Sequence, residues 1–504
     1  MQQQPSVIII GAGVAGLAAA IRLAVAGYPV QVFEQNSYPG GKVSYFELNG
    51  YYFDAGPSLF TQPANIEALF ELAGEPIDEY FQYRSLPIAC RYFYEDGTRL
   101  VAYTNNSRFA EEAGQQLGEP ADNIARYLRD SAHLYNKVGT LFLNFSLHKP
   151  AILFQKKIFT AVTAIRWRHL FKSLHQLNKH YFRQNKTAQL FNRYATYNGS
   201  NPYQAPGILS VIPHLEMNEG TFYPEGGMIA ITNALYRLAL KKGVQFHFNA
   251  PVEGIIHEHK RVRGIYSKGI PFTSDLVVSN VDTYFTYKYL LKDENAAEKI
   301  NRQERSSSAL IFYWGIAKTF PELDLHNIFF SSNYAAEFAA IFQEKKLYAD
   351  PTIYINITAK CEPGIQAPEE KENWFVMINV PAATAGADMV AMQQQAKAAI
   401  IQKLNRLLQT DIAPLIEVEA ILDPVQIETK TGSYKGALYG TSSNSKWAAF
   451  LRHPNFSKTI KGLYFVGGSV HPGGGIPLCL QSAKIMSGLA IPYIQQLQKR
   501  SRWA

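Results

Sequence analysis

Unbroken apolar runs alternate along this chain with stretches whose apolar residues recur at helical spacing. Val7-Ile8-Ile9-Ile10 is the first run, and it predicts a strand buried on both faces. Leu17 to Ala26 predicts a helix rich in Ala, Leu and Ile, stopped by Gly27. Val30-Gln31-Val32-Phe33 predicts a second strand, and Glu34 ends it. Tyr51 to Ser58 reads as a strand entering a turn, and Glu67 to Leu72 starts a helical stretch. Gly243 to Phe248, Leu276-Val277-Val278 and Leu463 to Val466 resume this alternation, with a helix running from the Gly226-Gly227 turn to about Leu240. Between these pieces the pattern changes. From Pro76 to about Glu119 it predicts short strands, with Asp96-Gly97 as a hairpin turn between Tyr92-Phe93-Tyr94 and Leu100 to Tyr103. Ile311 to Ile316, Thr352 to Ile357 and Phe375 to Val380 are strand-like, and Gln393 to Leu408 is helical.

Gly11-Ala12-Gly13-Val14-Ala15-Gly16 joins the first strand to the first helix. In a strand, turn, helix, strand and acid unit, each of its parts has a separate task. Gly11 permits the tight turn, Gly13 lets a pyrophosphate approach the backbone, and Gly16 lets the helix lie close on the strand. The helix N-terminus turns its free N–H groups toward the phosphates. Glu34 stands where a carboxylate can accept hydrogen bonds from a ribose. Gly40-Gly41-Lys42 follows, a loop whose amides can reach the same ligand. Near the other end, the glycine-rich loop Gly467 to Pro477 feeds a second helix, with Pro477 suited to its first turn.

The residues expected against the dinucleotide are Gly11, Gly13, Val14, Ala15, Gly16, Glu34, Gln35, Gly40, Gly41, Lys42, Gly56, Pro57, Ser58, Val252, Gly467, Gly468, Gly475, Ile476 and Pro477. No catalytic residue stands out. His214 and Glu216, just before the Gly226-Gly227 turn, and His471 in the terminal loop are candidates for proton handling, set against plainer roles as loop anchors. The expected class is α/β. A Rossmann-like domain is assembled from 1–75, 220–281 and 422–504, and an α+β substrate domain with a mixed sheet is interleaved as 76–219 and 282–421.

Between Asp130 and Glu216 there is no acidic residue, while eleven Lys or Arg occur there. Phe154, Phe159, Trp167 and Phe171 interleave with Lys156, Lys157, Arg166 and Arg168 at largely helical spacing across Lys149–Lys186. A basic amphipathic segment with Trp and Phe is a membrane-surface pattern, and the plainer reading is a solvated helix face. Nucleic acid is disfavoured, because no recognised binding fold accompanies the charge.

Composition adds limits. A chain of 504 residues exceeds one ordinary core. Its charged fraction is 18% and its hydrophobic fraction 47%, with 30 Tyr and 30 Phe, an inventory suited to a large apolar cavity. The net charge of +8 permits an acidic partner such as an anionic membrane. Cys90, Cys361 and Cys479 are widely spaced, with neither metal-ligand spacing nor a disulfide framework, which points to a reducing compartment. No secretory signal precedes the first strand, and no apolar run approaches the roughly eighteen residues of a spanning helix.

The N-terminal unit, Gly40-Gly41-Lys42, Asp54-Ala55-Gly56-Pro57-Ser58, Pro224-Glu225-Gly226-Gly227 and the Gly467 to Pro477 loop occur in this order over almost the whole chain. Together they resemble the bacterial carotenoid desaturases, FAD-dependent relatives of phytoene desaturase. His471-Pro472-Gly473-Gly474-Gly475-Ile476-Pro477 is the most specific piece, since amine oxidases of the same fold lack it. Asn192 to Pro202 and Ser306 to Leu310 look like the hydroxycarotenoid 3,4-desaturase branch. The resemblance implies a glutathione-reductase-like flavoprotein that binds FAD and a C40 carotenoid. It implies a cytoplasmic protein attached to the inner face of the cell membrane. The activity it implies is 3,4-desaturation of a 1-hydroxycarotenoid, with electrons passing to a quinone or to oxygen. Desaturation of phytoene or another acyclic carotene, isomerisation with a cycling flavin, and non-catalytic polyene binding remain alternatives. One departure matters: phytoene desaturases tend to carry an acid where this chain has Phe145–Leu153, and here there is none, so no acid/base role is carried over.

Overall fold

The computed structural model describes residues 4–139, 142–143, 145–146, 148–149, 165–384, 386–445 and 452–501. Five strands form a parallel sheet in the order Leu463–Phe465, Leu276–Ser279, Val7–Ile10, Val30–Phe33 and Gln245–His247. Val7 stands beside Leu276 on one side and Val30 on the other. The central strand is buried along its whole length, as its unbroken apolar run requires.

Parallel strands need crossovers, and helices supply them. The helix Val14–Val25 begins ahead of the predicted Leu17, because Gly13 is its cap with extended backbone (φ −67°, ψ 169°). It packs with Ile229–Lys241 and the C-terminal helix Ile476–Ser501 on one face of the sheet. Leu17, Ile21, Leu235, Leu238, Leu480 and Met486 share that core. The other face carries an antiparallel sheet of three strands, Val252–Glu258, Arg261–Ser267 and Ile270–Thr273. Its Ile255, Val262 and Ile265 pack with Ile8 and Val277.

A second large sheet has seven strands, in the order Ile416–Leu422, Ser308–Ile316, Glu372–Val380, Ile353–Ile357, His326–Phe329, Ile88–Phe93 and Arg99–Tyr103. It is mixed, since His326–Phe329 runs parallel to Ile88–Phe93 while its other neighbours pair antiparallel. Helix Met389–Leu408 covers it with Ala396, Ile400 and Leu404, and Asp388 caps that helix by accepting from Ala391 N at 3.0 Å.

Two expectations need correcting. The stretch from Pro76 to Glu119 is not strands alone, because Asn106–Leu117 is a helix, capped by the Asn105 side chain and closed by left-handed Gly118 (φ 69°). The basic stretch is not one long helix where the structure describes it. It forms Trp167–Phe171, Leu174–Tyr181 and Asn185–Asn192, with a break at Lys172 (ψ 150°). Phe154, Phe159, Lys156 and Lys157 lie outside the described residues. Among the described residues, no helix is long and apolar enough to cross a membrane.

Candidate functional site

A cavity of about 1100 Å³ runs from the edge of the parallel sheet into the space beneath the mixed sheet. That is above the usual size for a single small ligand, which is about 300–1,000 Å³. At the nucleotide end the first strand stops at Ile10, and Gly11 turns the chain with φ 95°. A Cβ on Gly16 would stand 2.1 Å from the Gly11 carbonyl oxygen, so glycine there lets the helix lie against the strand. Gly13 caps the helix without a side chain of its own, and Gly13, Val14 and Ala15 at the helix start line the cavity. Glu34 is buried, and its two carboxylate oxygens accept from Ala12 N at 2.8 Å and Asn36 N at 2.9 Å. Each oxygen keeps acceptor capacity for a ribose hydroxyl.

The next loop crosses the cavity. Gly40 has φ 109°, and a Cβ there would meet Val43 O at 2.4 Å. Lys42 donates to Leu438 O at 2.9 Å, and burial lowers its pKa against the pull of Cys479 and Asp282. At the far side, Gly467 and Gly475 have φ 108° and 102°, and the C-terminal helix starts at Ile476. Two helix N-termini thus face one space, each with its amide N–H groups and the positive end of its dipole. Arg452 is buried beneath the terminal loop, and its Nη1 donates to Tyr439 O at 2.6 Å.

Every residue expected against the dinucleotide lines the cavity, Gly16 excepted, which sits behind the turn. Asn280, Asp282, Arg452 and Asn36 also line it and were not singled out from sequence. Asn280 is the most telling of these, since it packs against Gly11, Gly13 and Gly16 together.

The proton-handling candidates fall elsewhere. His471 is buried outside the cavity lining, with Nε2 at 2.9 Å from both Phe142 O and Phe145 O. Burial lowers its pKa to about 4, so the ring is neutral and fixes the loop. His214 also lies outside the lining, 2.9 Å from Asn218 Nδ2 and 3.5 Å from Glu219. Glu216 does line the cavity, but its carboxylate accepts from Arg193 at 2.8 Å, from Tyr194 at 2.9 Å and from Tyr197. Burial works against the Arg193 charge, and Glu216 together with Tyr92, Tyr197 and Tyr194 outweighs it and raises the Arg193 pKa. Beyond these groups the walls are chiefly apolar, with Val138, Ile208, Leu209, Ile212, Ile328 and Phe375 among them.

A glycine turn backed by Asn280, a helix N-terminus at the cavity wall, a carboxylate held by two amides and a cavity above the usual size for one small ligand fit an extended dinucleotide cofactor. Comparison with known proteins names it. The model of flavin-containing amine oxidoreductases matches residues 14–489. A flavin carried as a dinucleotide is FAD, and FAD is the cofactor of this chain. A 1-hydroxycarotenoid 3,4-desaturase from Flavobacterium sp. (strain P99-3) is 52% identical over 482 residues, covering 96% of this chain and 98% of the relative. A 4,4'-diaponeurosporene oxygenase from Staphylococcus aureus is 32% identical over 492 residues, covering 95% and 96%. Among solved structures, an oxidoreductase from Methanosarcina mazei aligns with TM-score 0.63 at 16% identity, over 96% of this chain and 99% of that one. A putrescine oxidase variant aligns with TM-score 0.63 at 15% identity, over 97% and 99%, and these two likenesses speak for the fold. The chain belongs to the flavin-containing amine oxidoreductase family and, within it, to the FAD-dependent carotenoid desaturases.

Proposed function

We propose that this protein forms a C=C bond in a C40 carotenoid, by 3,4-desaturation of a 1-hydroxycarotenoid. The observation that carries the reading is the 52% identity to a 1-hydroxycarotenoid 3,4-desaturase across almost both chains. The apolar cavity continuous with the nucleotide end supports it. Bound FAD supplies the hydride acceptor. The chain's part is to hold the polyene in one register, to keep water away and to leave one CH–CH bond facing the cofactor. Loss of the hydride leaves a positive charge that the polyene delocalises, and loss of a proton from the neighbouring carbon completes the double bond. A strong protein base is unnecessary, which agrees with Glu216 being tied to Arg193. The two electrons leave for a quinone or for oxygen.

On this reading 1–75, 220–281 and 422–504 hold FAD, and 76–219 with 282–421 hold the polyene. The cavity-lining residues expected against the dinucleotide are its contacts. The same reading places the protein on the inner face of the cell membrane, since a C40 polyene must arrive from lipid. Trp167 and Phe171, each about two-thirds exposed at 66% and 67%, support a docking surface beside Arg166 and Arg168. Expression in cells that make either a 1-hydroxylated carotene or phytoene tests the substrate. The hydroxylated carotene should lose two hydrogens, and conversion of phytoene alone would reverse the assignment.

A further inference from the structure

Beneath the mixed sheet, the cavity wall carries a polar patch that the reaction above does not use. At its centre is His326, the first residue of the strand His326–Phe329, which lines the cavity and is 3% exposed. Asn356 is its cross-strand neighbour and brings Nδ2 to 3.2 Å from His326 Nδ1. The same Nδ2 donates to Leu325 O at 3.1 Å, which fixes the amide's orientation. An amide nitrogen only donates, so Nδ1 of the ring is an acceptor. Tyr354 OH lies 2.8 Å from that nitrogen and 2.9 Å from Ser58 Oγ. Burial, with Arg193 nearby, lowers the His326 pKa to about 3, so the ring is neutral. Its single proton is therefore on Nε2. That nitrogen is buried and has no partner among the described residues.

A buried N–H without an acceptor is costly, and a site built this way discriminates strongly for a ligand that supplies one. The patch is close to where chemistry is expected, because Ser58 follows Gly56, whose would-be Cβ stands 2.0 Å from the Lys42 carbonyl oxygen in the glycine loop. In a 1-hydroxycarotenoid the reacting carbons 3 and 4 lie a few bonds from the hydroxyl. A donor for that hydroxyl has to stand near the cofactor, in an otherwise apolar wall.

We propose that the His326 Nε2–H, oriented by Asn356 and Tyr354, donates to the hydroxyl oxygen at carbon 1 of the substrate and so selects which CH–CH bond is presented. The inference rests on the hydroxylated-polyene reading of this cavity, and its test can be separated from that reading.

The FAD-loaded wild type, His326→Leu and His326→Gln would be titrated with a 1-hydroxylated carotene and with the same carotene lacking the hydroxyl, following the bound polyene's absorption. Wild type should bind the hydroxylated polyene on the order of tenfold more tightly or better. His326→Leu should lose that preference while holding the hydrocarbon as wild type does, and His326→Gln, which keeps a donor, should retain part of it. Equal FAD content and melting temperature show that the variants are folded. If His326→Leu fails to fold, His326→Gln and Tyr354→Phe carry the comparison, the second with a partial loss expected. No preference in wild type, a preference that survives His326→Leu, or equal weakening of both polyenes would overturn the proposal. Product analysis in parallel separates the two readings. Wild type that prefers the hydroxylated polyene but forms no desaturated product would remove the function and leave the recognition standing.

Discussion

Two backbone amides hold the Glu34 carboxylate, which the proposed reading sets against the ribose of FAD. Glu34→Ala removes a charge-assisted acceptor worth about 1.5–3 kcal/mol and leaves the Ala12 and Asn36 amides unpaired. FAD affinity should fall tenfold or more in a fluorescence titration. A variant that holds FAD as tightly as the parent would remove Glu34 from the site. Residues of this kind are legible in sequence because their jobs are local: a turn, a cap, an acid at a strand end. Asn280 and His326 are not. Asn280 reaches Gly11 across 269 residues of chain, and His326 meets Asn356 through sheet pairing. Only the assembled sheets bring them to the cavity. His471 was legible as a loop residue, and its two carbonyl partners explain why such a ring anchors backbone.

At the scale of elements, the approach of the helix Val14–Val25 to the first strand decides whether the phosphate end exists. Gly16→Val should force the helix off the strand, since even a Cβ would stand 2.1 Å from Gly11 O. The expected outcome is loss of FAD and a lowered melting temperature. Gly488→Ala, in the C-terminal helix with nothing within 4 Å of its would-be Cβ, should instead gain about 0.5–1 kcal/mol. Equal effects from the two would mean that helix propensity, not close packing, is the reason for Gly16. The buried strands could be read from sequence because burial on both faces leaves unbroken apolar runs. The helix Asn106–Leu117 was missed because it buries little, namely Phe109, Ala110 and Ala113, so its apolar stripe is thin. Its signals were the Asn105 cap and Gly118. The basic stretch shows the opposite error, since helical spacing persists across breaks at Lys172 and Phe182 that periodicity does not see.

The whole molecule should be acid-sensitive. Burial lowers the pKa of His169, His453 and His471 to about 4 and that of His326 to about 3, from 6.5. Between those values the unfolded chain binds more protons than the folded one, so stability is complete above about pH 6.5 and falls toward about pH 4. Asp54 opposes this, because burial raises its pKa from 3.8 to about 7 and its contribution falls as pH rises through that range. Burial raises the Glu337 pKa as well, but seven histidines with lowered pKa, His148, His175 and His180 among them, stand against these two carboxyls and set the net sign, and a denaturant midpoint that rises on acidification below pH 6.5 would contradict it. If the proposed docking surface is right, replacing Lys156, Lys157, Arg166 and Arg168 together by Gln should weaken sedimentation with anionic vesicles, at roughly 1 kcal/mol per charge. Unchanged binding by the folded variant would place docking elsewhere. The reaction itself can be read from the mass of its product. The purified FAD-loaded protein would be given a 1-hydroxylated carotene together with a quinone or oxygen. The expected product is lighter by two hydrogens, with the new double bond between carbons 3 and 4. An unchanged mass with a shifted spectrum, an added oxygen or no turnover would contradict this reaction.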